Sequence, residues 1–210
     1  MTRRQFRITG SSLILLLTLL CTGCARSPAI TYYQLVSLDT EPTDHSSSET
    51  VKAVLGLGPV QLPQYLDQPK LVNRISANRL QLADSHRWVE PLGENIIEVM
   101  EEELSTLLHP RQVVIFPWPR SQTIDCQLVV EVLHFETEND GVARLLVNWM
   151  VKDRDGNLMM PEQQGSYRVT ASSDSHAARV RSLNEALEQF CREIAGELRP
   201  LLKKTDGTSS

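Results

Sequence analysis

The spacing of apolar and polar positions changes several times along the chain. Leu13–Leu20 reads L-I-L-L-L-T-L-L, a short unbroken apolar run that follows Arg3, Arg4 and Arg7. Residues 25–30 form a brief tether. Thr31–Leu38 is rich in β-formers and predicts a first strand. Asp39–Glu49, with Pro42, Asp44 and three consecutive serines, has no apolar period and predicts a polar loop. Val51–Val60 predicts a strand whose Gly56, Gly58 and Pro59 imply a bulge or an edge position. Pro63 and Pro69 bracket a stiff turn. Leu71–Ile75 and Arg79–Ala83 read as short strands around Ser76-Ala77-Asn78.

From Pro91 the period lengthens. Ile96, Met100, Leu104 and Leu107 recur at three- and four-residue steps, which predicts a helix ended by His109-Pro110. Val113–Phe116 is a strand. Cys126–Thr137 alternates, with Cys126, Leu128, Val130 and Val132 on one face. Asn139-Asp140-Gly141 predicts a tight turn into Val142–Lys152. Asp153–Asn157 turns again, and Gly165–Ala171 closes a meander. A last helix is expected over 175–202, with Ser173 or Asp174 as N-cap and a stripe of Leu183, Leu187, Phe190, Ile194 and Leu198. The order predicts a single α+β domain over residues 31–202, a mainly antiparallel sheet with two helices packed on one face. Residues 203–210 read as a disordered polar tail.

The N-terminal pattern belongs to targeting rather than to the fold. Three arginines followed by an apolar run too short to anchor in a bilayer mark residues 1–23 as a signal peptide. The run ends Leu20-Cys21-Thr22-Gly23-Cys24, which resembles a bacterial lipobox. That resemblance implies cleavage before Cys24, a thioether-linked diacylglycerol and an N-acyl chain on its amine. Residues 24–30 then become a lipidated tether. Two or three acyl chains hold a protein at a membrane where one does so only marginally. Ala25, where lipoproteins kept at the inner membrane often carry Asp, points to the outer membrane, periplasmic face.

Charge changes with processing. The 210 residues carry a formal charge of −5, and removal of residues 1–23 takes three arginines and no acid, leaving −8. An acidic domain lacks the field that non-specific nucleic-acid binding needs. It also lacks a general basic surface for anionic head groups.

Catalytic patterns are missing. The chain holds no nucleophile elbow, no phosphate loop, no dinucleotide fingerprint and no Cys-x-x-Cys. The five histidines are scattered. His86 and Glu90 have helical ligand spacing, but Pro91 speaks against a helix there, and no metal site, cofactor or enzymatic activity is expected. Asp153-x-Asp155-Gly156-Asn157 is a hairpin turn, since Gln164 stands where a calcium loop needs an acid. Cys126 and Cys191 lie on two apolar faces, either joined in a disulfide or kept as two buried thiols. Tyr65-Leu66 in the proline-bounded turn and Phe116 and Trp118 among prolines are candidate partner-binding residues; the other reading is that they plug the edges of the sandwich.

Several segments, in order, resemble the ABC-type transport auxiliary lipoproteins, the family with PqiC-like members. They are the lipobox at Cys24, Tyr32-Tyr33-x-Leu35, and Gly58-Pro59-Val60-x-Leu62-Pro63-x-Tyr65-Leu66-Asp67. They continue with Arg74, Arg87-Trp88-x-Glu90-Pro91-Leu92, Pro117-Trp118 and Val130-x-Val132-x-x-Phe135. Gln68 departs from the arginine that members often carry. The resemblance implies an α+β fold, an outer-membrane anchor and a non-enzymatic role in intermembrane lipid transport. It also implies a partner that is a PqiB-like membrane protein with MCE domains, and self-association into a ring. The alternative expectation is a periplasmic lipid carrier with its own cavity.

Overall fold

The computed structural model describes residues 29–37 and 51–206. The signal peptide, Cys24, the loop over 39–49 and the end of the tail lie outside those residues. The elements are β1 (Thr31–Tyr33), β2 (Val51–Gln61), β3 (Lys70–Ser76), β4 (Arg79–Trp88), α1 (Leu92–Leu108), β5 (Pro110–Ile115), β6 (Cys126–Glu138), β7 (Val142–Asp153), β8 (Leu158–Thr170) and α2 (His176–Asp206). Among the described residues no helix is long and apolar enough to cross a membrane.

One eight-stranded sheet backs both helices. Its antiparallel part follows from local turns. Gly141 and Gly156, both at positive φ, close the β6–β7 and β7–β8 hairpins. In the second, the Asp153 carboxylate accepts the N–H groups of Asp155 and Asn157. The expectation of a mainly antiparallel sheet is corrected, because the sheet is mixed. Four pairs are parallel, namely β1–β4, β2–β5, β2–β6 and β3–β6, against three antiparallel. The parallel pairs join strands distant in sequence, such as Leu57 with Leu128, so no turn signal announces them. β2 is therefore an interior strand between β5 and β6, and its ladder to β6 shifts register between Leu57 and Val60. Gly58 sits there at φ +108. Added bulk at that position would also meet Phe116 Cβ at 3.1 Å.

α1 begins after Pro91, which takes the N-cap position with extended backbone. It ends at His109 in the left-handed conformation, whose N–H donates to Ser105 O at 3.1 Å. α2 is capped by Ser175, not by Ser173 or Asp174. Its Oγ accepts the Ala178 N–H at 3.2 Å, which suits the N3 position of a helix that starts at His176. α2 runs on to Asp206, into the segment expected to be tail, and tolerates Pro200 while Leu198 and Leu202 stay buried. The apolar stripe of α2 covers one face of β6, β7 and β8, where Leu128 pairs with Val151, Val130 with Trp149 and Phe135 with Leu145. Phe190 lies at the centre of this layer, with its ring 5.7 Å from that of Tyr167.

Phe190→Ala is expected to lower unfolding free energy by about 3–5 kcal/mol, since it empties a packed site that cannot fully collapse. Urea unfolding followed by circular dichroism checks it.

Candidate functional site

The sheet forks along β6. β2 pairs with it as far as Glu131, and β3 takes over only at Thr137. Between those points one side of β6 has no strand neighbour, and its backbone needs other partners. A side-chain cluster supplies them. The Glu136 carboxylate is fully buried. Its Oε2 accepts the Phe135 N–H and the Tyr65 O–H, each at 2.9 Å. Its Oε1 accepts Arg74 Nε at 2.6 Å and lies 2.9 Å from His134 Nδ1. Three donors thus converge on the carboxylate, and His134 Nδ1 lies within hydrogen-bond distance of it. Tyr65 also lies 3.2 Å from the Leu133 carbonyl, and the Arg74 guanidinium sits over its ring at 5.8 Å. Burial and the adjacent carboxylate push the Tyr65 phenol upward, so it remains a donor.

This geometry decides between the readings of the proline-bounded turn. Leu66 is 1% exposed and belongs to the core, which corrects its expected place on an exposed surface. Tyr65 is spent on Glu136. The turn 62–69 spans the fork, and its side chains are held inward by a buried charge. Sequence reasoning quoted Tyr65 and Arg74 but missed Glu136 and His134. The signal was a break in alternation. Val132 and Phe135 both face inward at a spacing of three, and the β6–β7 ladder shifts between Val132 and His134.

The Phe116–Pro119 segment follows β5, an edge strand. Phe116 N–H donates to Leu57 O at 2.9 Å, and its ring meets Trp118 edge-on at 5.3 Å. Leu55 and Leu57 face the helices, so Gly56 faces the other side. Trp118 folds over that glycine, where a Cβ would come within 3.0 Å of its ring. Trp118 is half-buried in consequence, as a plug. Phe116 keeps 44% exposure beside the exposed Ile115.

Cys126 and Cys191 are free and buried in the structure, so the disulfide alternative is not the one it adopts. The physical reason is the difference in rise. Arg179 of α2 reaches Thr137 of β6. From that contact Cys191 lies at most ~18 Å along the helix and Cys126 ~36 Å along the strand. Burial pushes the Cys126 thiol up to about 12 and the Cys191 thiol higher.

Two hollows remain. An apolar pocket lined by Leu66, Leu71, Trp88, Phe135 and Leu183 has a volume of about 10 Å³, the space of one water. An open cleft of about 360 Å³ lies between β3, β4 and the start of α2, lined by Arg74, Asp84, His86, Asp174, His176 and Arg179. Here His86 and His176 stack with ring centroids 3.7 Å apart, and His86 Nδ1 shares a 2.9 Å hydrogen bond with the Tyr33 hydroxyl. Glu90, once considered with His86 as a ligand pair, instead accepts from Gln34 at 2.9 Å.

Arg74→Met is expected to cost about 3–5 kcal/mol by leaving the buried Glu136 charge unpaired, and Arg74→Met with Glu136→Gln to cost less. Urea unfolding of both variants tests this. A pH dependence follows from His176. Burial, then His86 and Arg179, hold it below its ordinary value of 6.5. The fold therefore favours the neutral ring. That contribution is complete above pH 6.5 and is lost as pH falls through the lowered native value. Thermal unfolding between pH 8 and 5 should show the loss, and His176→Gln should reduce it.

The model of the family described as "ABC-type transport auxiliary lipoprotein component" matches residues 33–195. No curated protein matches the chain. Among solved structures, an uncharacterized protein superposes with a TM-score of 0.66 at 21% identity, covering 81% of this chain and 99% of its own. A protein from Xanthomonas campestris gives 0.66 at 17% identity, covering 85% and 99%. At these identities the likeness is one of fold.

Proposed function

The chain belongs to the ABC-type transport auxiliary lipoprotein family, and from that premise we propose that it is the non-enzymatic docking subunit of an intermembrane lipid-transport system. In this reading Cys24 carries the acyl chains and holds the domain at the periplasmic face of the outer membrane. The partner is a PqiB-like membrane protein whose MCE domains form the conduit. The protein works as a homo-oligomeric ring around the end of that conduit.

The observation that carries the docking role is the exposed aromatic at an open sheet edge. Phe116 stands next to Ile115 at the end of β5, stiffened by Pro117 and Pro119 and braced by Trp118. A rigid aromatic loses little entropy when a partner covers it, which is how interface anchors gain their affinity. The carrier alternative needs room for an acyl chain, which the apolar pocket between the sheet and α2, at about 10 Å³, does not itself provide.

The test is capture of the MCE-domain protein from membranes extracted in mild detergent. The wild-type protein is expected to hold the partner, and Phe116→Ala to weaken capture about tenfold or more. A wild-type protein that neither binds the partner nor self-associates would overturn the docking role. Phospholipid co-purifying with an isolated monomer would revive the carrier.

A further inference from the structure

Three exposed large apolar side chains lie where the chain enters the fold, apart from those at the β5 edge and at Leu158. Ile30 is 44% exposed, Tyr32 57% and Val89 56%. They are neighbours. Val89 N–H donates to Tyr33 O at 2.9 Å, and Tyr32 lies beside Arg87 in the β1–β4 register. Tyr33 packs on the core and its hydroxyl meets His86, so Ile30 and Tyr32, at the alternate parity, look outward. Among the described residues β1 pairs with β4 alone.

This edge is not a frayed end. The Asn95 side chain of α1 brackets the backbone of Leu35, accepting its N–H at 2.6 Å and donating to its carbonyl at 3.1 Å. Ser37 Oγ donates to Glu103 at 3.0 Å, and Leu35 itself is buried. Three outward apolar groups are therefore held in fixed positions, each about half exposed among the described residues.

The chain outside the structure says what covers them. Cys24 precedes Ile30 by six residues, a reach of at most ~20 Å when fully extended. An acylated Cys24 keeps this edge nearer the bilayer than any later part of the chain can be kept by the tether. The charges beside the patch largely balance, since Arg87 adjoins Tyr32 while Lys70 is held by the exposed Asp84 at 3.6 Å and Glu90 follows Val89, so the patch would act through its apolar and aromatic groups. Aromatic and aliphatic groups of this kind settle at a headgroup layer.

We propose that Ile30, Tyr32 and Val89 form a membrane-contact patch, seated in the headgroup layer of the leaflet that holds the Cys24 lipid. The inference rests on the anchoring stated above. The patch converts a flexible tether into a defined orientation. The lipid supplies residence and the patch fixes which side of the domain faces the bilayer.

The experiment uses the full acylated protein in vesicles of phosphatidylethanolamine and phosphatidylglycerol. Tyr32→Cys, Val89→Cys and, as a distant reference, Leu158→Cys each carry an environment-sensitive fluorophore. Cys126 and Cys191 are buried and do not compete for the label. Doxyl-labelled lipids are expected to quench the labels at 32 and 89 about twofold or more relative to 158. Equal quenching at all three overturns the patch. A blue shift at 32 and 89 that is present in detergent and indifferent to doxyl lipids assigns the edge to a second copy, and also overturns it. Mass spectrometry of Cys24 separates the two readings. An unacylated cysteine defeats the anchor and the patch together, whereas an acylated, vesicle-bound protein without quenching defeats the patch alone.

Discussion

A single buried carboxylate holds the two branches of this sheet together. β6 serves β2 along its first half and β3 at its end, and the gap between them exposes strand backbone inside the protein. Glu136 fills that gap by accepting from the backbone of Phe135, from Tyr65 in the β2–β3 turn and from Arg74 on β3. Each donor comes from a different branch or from the strand itself. An ionised group buried this deeply costs several kcal/mol unless paired and hydrogen-bonded, and here a guanidinium, a phenol and a backbone N–H all donate to it. The cluster therefore ties specificity to stability, because a shifted β3 would strand a charge in the core.

The N-terminal segment depends on the same arrangement. Once β3 is placed, β4 lies beside it, and β1 pairs with the end of β4 before the chain crosses α1 under the hold of Asn95. The point where the tether leaves the domain is thus set by packing rather than by the tether. A lipid anchor attached to a loose terminus would leave orientation free. Were it attached at Cys24, seven positions before β1, it would constrain which face meets the membrane. The β5 edge with Phe116 is a separate edge of the sheet, which leaves it accessible to a partner in the docking reading.

Much of this was legible in the residues, and the misses have identifiable causes. Helical spacing of Ile96, Met100 and Leu104, and of Leu183, Leu187 and Phe190, named the buried faces of both helices. Alternation named the inward residues of β6 up to Val132, and the glycine turns located the hairpins. The parallel pairs escaped because they bring together strands separated by whole elements. Leu66 was misplaced because proline-rich turns are usually exposed, whereas this one is pulled inward by Tyr65 and Glu136. Of the two readings open for Trp118 the structure takes the plug, since the bare backbone at Gly56 makes room for its ring.

The residues by themselves determined the family, the α+β class and the apolar stripes, because these depend on local spacing and on motifs that persist along the chain. Tertiary structure decided which strands neighbour which, where the buried Glu136 charge is satisfied, and which aromatic stays in solvent. Those outcomes follow from contacts between Tyr65, Arg74 and Glu136 or between Trp118 and Gly56, positions about sixty to seventy residues apart. Local pattern carries no record of such distances. Only the closed fold, in which every buried polar group must find its partner, makes the choice.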